Sequence, residues 1–362
     1  MPTPPLPPLI ERSLHAQSLL PAGRPLVDFF SRSLTSFQSS NSKFHVVCTV
    51  PSSSQPVTGY GQQIQNRIIA LPTPLPPSTK PRALVVLDSS FNPPTIAHLR
   101  MATSAIHDLN QRDRLGPGAL RLLLLLAINN ADKAPKPAAF DQRLAMMWAF
   151  AQDIQQSLED EKWNNTRSDK DVTEEEQDSY LSIDVALTTQ PYFHDKSAAI
   201  AESAFYRPGG GSEENGEALE QIFLVGYDTL IRIFDPKYYG PPASTGGDSS
   251  TGDMPMQKAL GPFFARAKLR VTMRTDADWG GEDDQAAHLA DLLSTEGMKR
   301  IGGCSDWVAR IEVVEGRKRG EGIVSSTVAR KAAANHDWNT LDKIVPPEVR
   351  KWVRREKLYS AE

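Results

Sequence analysis

Two serines and a threonine crowd into Asp88-Ser89-Ser90-Phe91-Asn92-Pro93-Pro94-Thr95, and His98 follows one helical turn later. Ahead of them Ala83 to Leu87 is short and apolar, which reads as a buried strand. From Thr95 onward Ile96, Leu99, Met101 and Ala102 recur near a 3.6-residue period, which reads as a helix. The sequence therefore predicts strand, tight loop, helix, with His98 in the helix's first turn. A helix N-terminus offers free N–H groups and the positive end of a dipole, so it suits a phosphate, and a histidine there can meet the same anion. The spacing also suits an ordinary first βα unit whose His98 is merely exposed.

A second stretch, Val324-Ser325-Ser326-Thr327-Val328-Ala329-Arg330, places hydroxyls at a helix start and a guanidinium one turn inside. Backbone N–H groups and hydroxyls can cradle a phosphate there, and Arg330, at i+4 from Ser326, shares their face. A plain capped helix with a surface arginine is the other reading. Further polar residues end apolar runs. Lys133 and Lys136 lie in the loop after residues 120–128, Arg143 opens the next helix, and Gly226-Tyr227-Asp228 closes the run 219–225.

These loops need a frame that brings them together. Strands are expected at 44–50, 83–87, 120–128, 180–187, 219–225, 268–274 and 307–314. Helices are expected at 24–38, 64–71, 95–109, 140–158, 196–205, 229–234, 259–267, 282–295, 326–335 and from Pro346 onward, where Trp352 is an anchor. Regular alternation argues for an α/β fold, a Rossmann-like parallel sheet with helices on both faces and right-handed crossovers. Ligands in such folds bind at the carboxyl ends of the strands, where the polar loops lie. Residues 1–80 read as a small helix–strand extension, mobile over 1–10 and ending in a proline-rich connector at 72–81. The main domain spans 82–358, with disordered insertions expected near 160–178, 207–217 and 240–255.

Composition sets outer bounds. Hydrophobic residues make up 40%, charged residues 23%, and the net charge is −4, so no basic field directs the chain to nucleic acid or an anionic membrane. Cys48 and Cys304 stand far apart and outside any C-x-x-C pattern, which argues against a disulfide scaffold or zinc site and for a reducing compartment. The proline-rich start MPTPPLPPLIERSLH lacks the apolar core of a signal peptide, and the apolar run 120–128 is too short to span a bilayer.

Taken together, SSFNPPTIAHLRM and VSSTVAR resemble the two signatures of the nicotinamide mononucleotide (NMN) adenylyltransferases. These belong to the nucleotidylyltransferase superfamily, whose broader pattern is G-x-F-x-P-x-[HT]-x-x-H. GYDTLIRIFDPKYYG resembles a third family element, a Gly-x-Asp turn at the nucleotide, and its wording is nearest the fungal branch linked to filamentation in yeast. The resemblance covers about residues 82–358. It implies a nucleotidylyltransferase-type fold and transfer of the adenylyl group of ATP to NMN, giving NAD and pyrophosphate. It implies ATP phosphate contacts for Ser90, Phe91, Thr95, His98, Ser325, Ser326, Thr327 and Arg330, with His98 and Arg330 as the catalytic pair. His98 would stabilise charge on the phosphate oxygens as pyrophosphate leaves; no general base is required, because the NMN phosphate is already an anion. Ser89, Lys133 or Lys136, Arg143, Gly226 and Asp228 fall to NMN and nucleotide contacts. Many family members have Gly at the place of Ser89, so a Cβ there crowds the substrate's approach. The aromatic that stacks on nicotinamide is to be sought among Tyr192, Phe193 and Trp148.

Magnesium is expected to arrive on ATP and to keep its waters. Small nucleotides are the expected partners, with no nucleic acid or membrane, in cytoplasm and/or nucleus. A homo-oligomer, and a protein partner for the N-terminal extension, stay open. Two other functions fit the same residues: a related nucleotidylyltransferase with another phosphate acceptor, and a nucleotide-binding regulator or weak ATPase.

Overall fold

The computed structural model describes residues 23–51, 71–113, 116, 118–129, 137–168, 181–207, 219–240, 254–273, 282–316 and 324–360. Its strands are β1 (Phe44–Val50), β2 (Ala83–Asp88), β3 (Leu120–Ala127), β4 (Ser182–Thr188), β5 (Glu220–Gly226), β6 (Ala267–Thr272) and β7 (Ile311–Val314). They form one seven-stranded sheet in the order β1-β4-β3-β2-β5-β6-β7. Every neighbouring pair is parallel except β1 with β4, which is antiparallel. The central strands are nearly continuous apolar runs because both faces are covered, and Leu122 to Leu125 of β3 are fully buried.

Helices α1 (Gly23–Gln38), α2 (Ile96–Asp113), α3 (Phe140–Ser168), α9 (Ser326–Ala334), α10 (Trp338–Ile344) and α11 (Pro347–Arg355) cover one face. The other face carries α4 (Phe193–Glu202), α5 (Tyr227–Ile233), α6 (Pro255–Arg266), α7 (Glu282–Leu292) and α8 (Thr295–Arg300). The chain runs outward from β2 through β3 to β4, then returns to β5 and runs outward the other way. The loops leaving β2 and β5 thus diverge at the switch in strand order, where α/β sheets open a crevice.

Several expected boundaries move. Residues 23–51 are built into the sheet: β1 is its antiparallel edge strand, and α1 packs along α3. Helix α3 continues through Ser168, so 160–168 is helical; Glu and Lys favour helix whether or not they are buried. The helix expected at 196–205 begins at Phe193 and ends at Glu202, and that expected at 229–234 begins at Tyr227. Pro255, well suited to a first turn, starts α6 four residues earlier than expected. The expected helix 282–295 is two helices. Ser294 caps the second by accepting from the Gly297 N–H at 2.9 Å, and Gly297 packs so closely that an added Cβ would lie 1.9 Å from the Asp291 carbonyl oxygen. The strand expected at 307–314 starts only at Ile311, because residues 305–310 form a 3-10 turn that buries Trp307 against Phe264 at 5.0 Å between ring centroids. Residues 64–70 of the expected helix 64–71, residues 169–178, 208–217 and 241–253 of the three expected insertions, and residues 1–22 lie outside the described residues. No helix among the described residues is long and apolar enough to cross a membrane.

Helix α11 is fastened to α3 by one carboxylate. Asp153 is buried and accepts from the Glu348 N–H at 2.9 Å and the Val349 N–H at 3.2 Å. Burial pushes this carboxyl from 3.8 up to about 7, although the two N–H groups pull the other way. The folded chain then binds this proton more tightly than the unfolded chain. Its contribution to stability is therefore largest below about pH 4, falls as pH rises toward 7 and is flat above. Urea melts of wild type and Asp153→Asn across pH 4–8 check this: the difference between them should move against wild type over that window, and a constant difference would disprove it.

Candidate active site

The loop after β2 is built from packed residues. Phe91 has a left-handed backbone (φ 45) and the Asn92–Pro93 peptide is cis. Phe91 is fully buried, 6.2 Å from Phe150 and 6.0 Å from the His98 ring, so it shapes the loop from beneath and does not make the phosphate contact expected of it. Ser90 is exposed beside it. Thr95 is fully buried and immediately precedes α2.

Thr95 also fixes the histidine. Its N–H donates to His98 Nδ1 at 3.1 Å, and its Oγ1 lies 2.8 Å from the same atom. A ring nitrogen that accepts an N–H carries no proton, so in the neutral ring the proton sits on Nε2. Nε2 lies 3.0 Å from Ser89 Oγ, which accepts from it. Ser89 therefore does more than occupy space where a glycine would leave room: its hydroxyl meets the histidine's donor.

The second motif closes over this loop. Ser325 is the N-cap of α9 and accepts from the Val328 N–H at 3.2 Å. Ser326 Oγ donates to the Pro93 carbonyl at 2.8 Å, and Arg330 Nη1 donates to the Asn92 carbonyl at 2.7 Å. Arg330 Nη2 donates to Thr327 Oγ1 at 3.0 Å, and Thr327 itself is exposed. The N-terminus of α9 thus lies against the β2 loop, although the two are 238 residues apart at Arg330 and Asn92.

Arg143, in the first turn of α3, is buried, donates to the Ala138 carbonyl at 2.9 Å and lies 4.8 Å from the centre of the Phe140 ring. Burial first, then the Arg330 guanidinium, hold its pKa below the usual value, against a pull from Tyr359. Two guanidiniums close enough to feel each other concentrate positive charge behind the β2 loop. Tyr359 donates to Asn92 Oδ1 at 2.7 Å and props the loop from below. Gly226 ends β5, and Asp228 stands in the first turn of α5 rather than in a loose turn. Lys133 and Lys136 lie outside the described residues.

Of the aromatic candidates, Phe193 is packed against Phe223 and Trp148 is half-buried against the core, whereas Tyr192 is 36% exposed. Tyr192 stacks on His194 at 5.6 Å and sits 6.3 Å from Tyr238, while His194 lies 5.9 Å from Tyr239. This aromatic wall stands where α4 begins.

A sequence profile of the cytidylyltransferase-like family matches residues 86–208. A protein of Schizosaccharomyces pombe, named as a candidate nicotinamide mononucleotide adenylyltransferase, is 34% identical over 272 residues, covering 75% of this chain and 83% of that protein. The chain belongs to the nicotinamide mononucleotide adenylyltransferase family. Among solved structures, a nicotinic acid mononucleotide adenylyltransferase of Plasmodium falciparum in complex with NaAD shares 13% identity and a TM-score of 0.37 over 77% of this chain and 97% of that one. The same protein with APC gives 11% and 0.37 over the same shares, a likeness too slight to argue from.

In this member of the family both signatures are legible in sequence, whereas Tyr359, Tyr238 and a buried pair at Asp88 and Lys196 fall outside them. Tyr359 follows the last helix as an isolated aromatic, and nothing local distinguishes it from a packing residue. A cue for Tyr238 was its place in GYDTLIRIFDPKYYG, since two adjacent tyrosines in a loop can form an exposed ring surface.

Proposed function

We propose that the chain transfers the adenylyl group of ATP to NMN, forming NAD and releasing pyrophosphate. The observation that carries this reading is the closure of α9 on the β2 loop through Ser326 to Pro93 and Arg330 to Asn92. It brings the N-termini of α2 and α9, with His98 and Arg330, together at the strand-order switch. An oxygen of the NMN phosphate attacks the α-phosphorus of ATP, and the bond from that phosphorus to the oxygen bridging to the β-phosphate breaks. The nucleophile is already an anion, so no proton must be removed from it. Negative charge grows on the departing pyrophosphate, and fixed donors aimed at that charge lower the barrier. His98 Nε2–H, turning from Ser89 Oγ to that charge when the nucleotides are bound, and Arg330 are those donors, helped by the Ser325, Ser326 and Thr327 end of α9. Ser90, exposed in the loop, lines the ATP side, while the buried Phe91 and Thr95 act from behind, Thr95 by holding the His98 ring.

On the acceptor side, Ser89, Arg143 and Lys133 or Lys136 meet the NMN phosphate. Gly226 and Asp228 meet the nucleotide, and Tyr192 with Tyr238 offers faces for the nicotinamide ring. ATP enters as its magnesium complex, the ion held by phosphates and water. A cytoplasmic and/or nuclear setting belongs to this reading, and two cysteines far apart and outside any C-x-x-C pattern support a reducing compartment.

Pyrophosphate release by purified protein, with NMN, nicotinate mononucleotide, FMN or phosphopantetheine as acceptor, tests this. Release is expected with ATP and NMN together and not with either alone. Release with FMN or phosphopantetheine only would assign another acceptor, and ATP binding or hydrolysis indifferent to NMN would favour a regulator.

A further inference from the structure

The chemistry above leaves unused a buried ion pair at the carboxyl end of β2. Lys196 Nζ lies 2.5 Å from Asp88 Oδ2, and the two side chains are only 6% and 8% exposed. Asp88 is the last residue of β2, directly ahead of Ser89 and the loop that holds Asn92 and Pro93. Lys196 stands at the start of α4, whose N-cap is Tyr192 and whose second residue, His194, stacks on that tyrosine. The Lys196 ammonium also lies 5.1 Å from the centre of the Phe193 ring, and Phe193 rests edge-on against Phe223 of β5 at 5.7 Å. One pair thus joins the phosphate loop to the aromatic wall, although the strands that lead into them, β2 and β4, are separated in the sheet by β3.

Stability alone is a poor reason for such a pair. Taking both charges out of water costs much of what their attraction returns, and apolar residues of similar volume often hold a fold as well. A buried pair instead fixes a distance, because neither charge can leave its partner without being stranded in a poorly solvated place.

We propose that Asp88 and Lys196 form a positioning pair that sets the spacing between the phosphate loop and the aromatic wall, and so selects an acceptor whose planar ring stands at a fixed reach from its phosphate. Neither residue touches substrate; they act through the Ser89–His98 loop and through Tyr192. The proposal rests on the adenylyl-transfer reading only for the identity of that acceptor, a pyridine mononucleotide.

The test compares wild type with Asp88→Asn/Lys196→Met, which removes both charges at nearly constant volume, and with Asp88→Glu, which keeps the pair and lengthens it. Steady-state kinetics with ATP and NMN are read beside calorimetric binding of each nucleotide and thermal melts. Both variants should raise the KM and Kd for NMN by about tenfold or more, while ATP affinity stays within about threefold. If the double variant does not fold, Asp88→Glu carries the test. NMN constants within about twofold of wild type in a folded variant, whatever its melting temperature, overturn the proposal and leave the pair a structural staple. Wild type that binds NMN yet releases no pyrophosphate sinks the adenylyl-transfer reading, and the pair is then judged by the NMN Kd alone. Wild type that binds no mononucleotide overturns both.

Discussion

His98→Ala is expected to lower kcat for NAD formation by about 10²–10³-fold, the usual cost of deleting one preorganised donor to a developing oxyanion. ATP binding should weaken far less, because Arg330, the α9 hydroxyls and the backbone of the β2 loop remain. The position of the ring's proton sharpens the prediction. Thr95 N–H occupies Nδ1, so the ring offers Nε2–H as a donor and is not arranged to take up a second proton. A glutamine amide can place an N–H close to where Nε2 stands. His98→Gln should therefore retain much of what His98→Ala loses, within about tenfold of wild type, as expected for one hydrogen bond of imperfect geometry. Proton shuttling by His98 would make the two variants equally poor, and full activity of His98→Ala would remove the residue from the mechanism.

Local patterns in the sequence were reliable where one interaction decides the structure. The run LRLLLLLA could only be a strand covered on both sides, and β3 is that strand. Ser325 ahead of an apolar-spaced helix is an N-cap, and it caps α9. Both signature motifs were legible because the backbone geometry there depends on the same few residues that carry the motif. Less legible were features whose cause lies far away in sequence. Trp307 sits in a β-favouring run, but it turns in a 3-10 segment because Phe264 and Phe234 provide rings to pack on. Helix α10 is only seven residues long; its cue was Asp337, which accepts from the Thr340 N–H at 3.1 Å. Residues 23–51 looked like an appendage because nothing local says that β1 completes the sheet edge beside β4. Tyr359 reaches Asn92 across 267 positions, beyond any local pattern.

The same distance problem hides a buried carboxylate that ties several elements together. In SIDVALT the alternation suggests a strand with one polar face, yet Asp184 is fully buried. It accepts from Arg121 Nε at 2.9 Å and Nη2 at 2.6 Å, from the Thr49 hydroxyl at 2.7 Å and from the Tyr206 hydroxyl at 3.0 Å. Arg121 in turn donates to the Leu75 carbonyl at 3.0 Å, and the Leu75 N–H donates to Thr49 Oγ1 at 3.0 Å, so the connector ahead of β2 is held by the same cluster. Asp184→Ala would strand the Arg121 guanidinium and leave two hydroxyls without their acceptor. A loss of about 3–5 kcal/mol is expected, several times that of a surface ion pair. At roughly 2–4 °C per kcal/mol, this is a drop in Tm of the order of 10 °C. Arg121→Met/Asp184→Ala should lose less than Asp184→Ala alone, because the stranded charge is gone. Asp184 lies four residues before the end of β4, roughly 13 Å along the strand from its carboxyl end, so KM for ATP and NMN should hold within about twofold in the protein that remains folded. A loss below about 1 kcal/mol, or a double variant no better than the single, would show that hydrogen bonding around Arg121 rearranges freely and that the cluster does not hold the sheet to its connector.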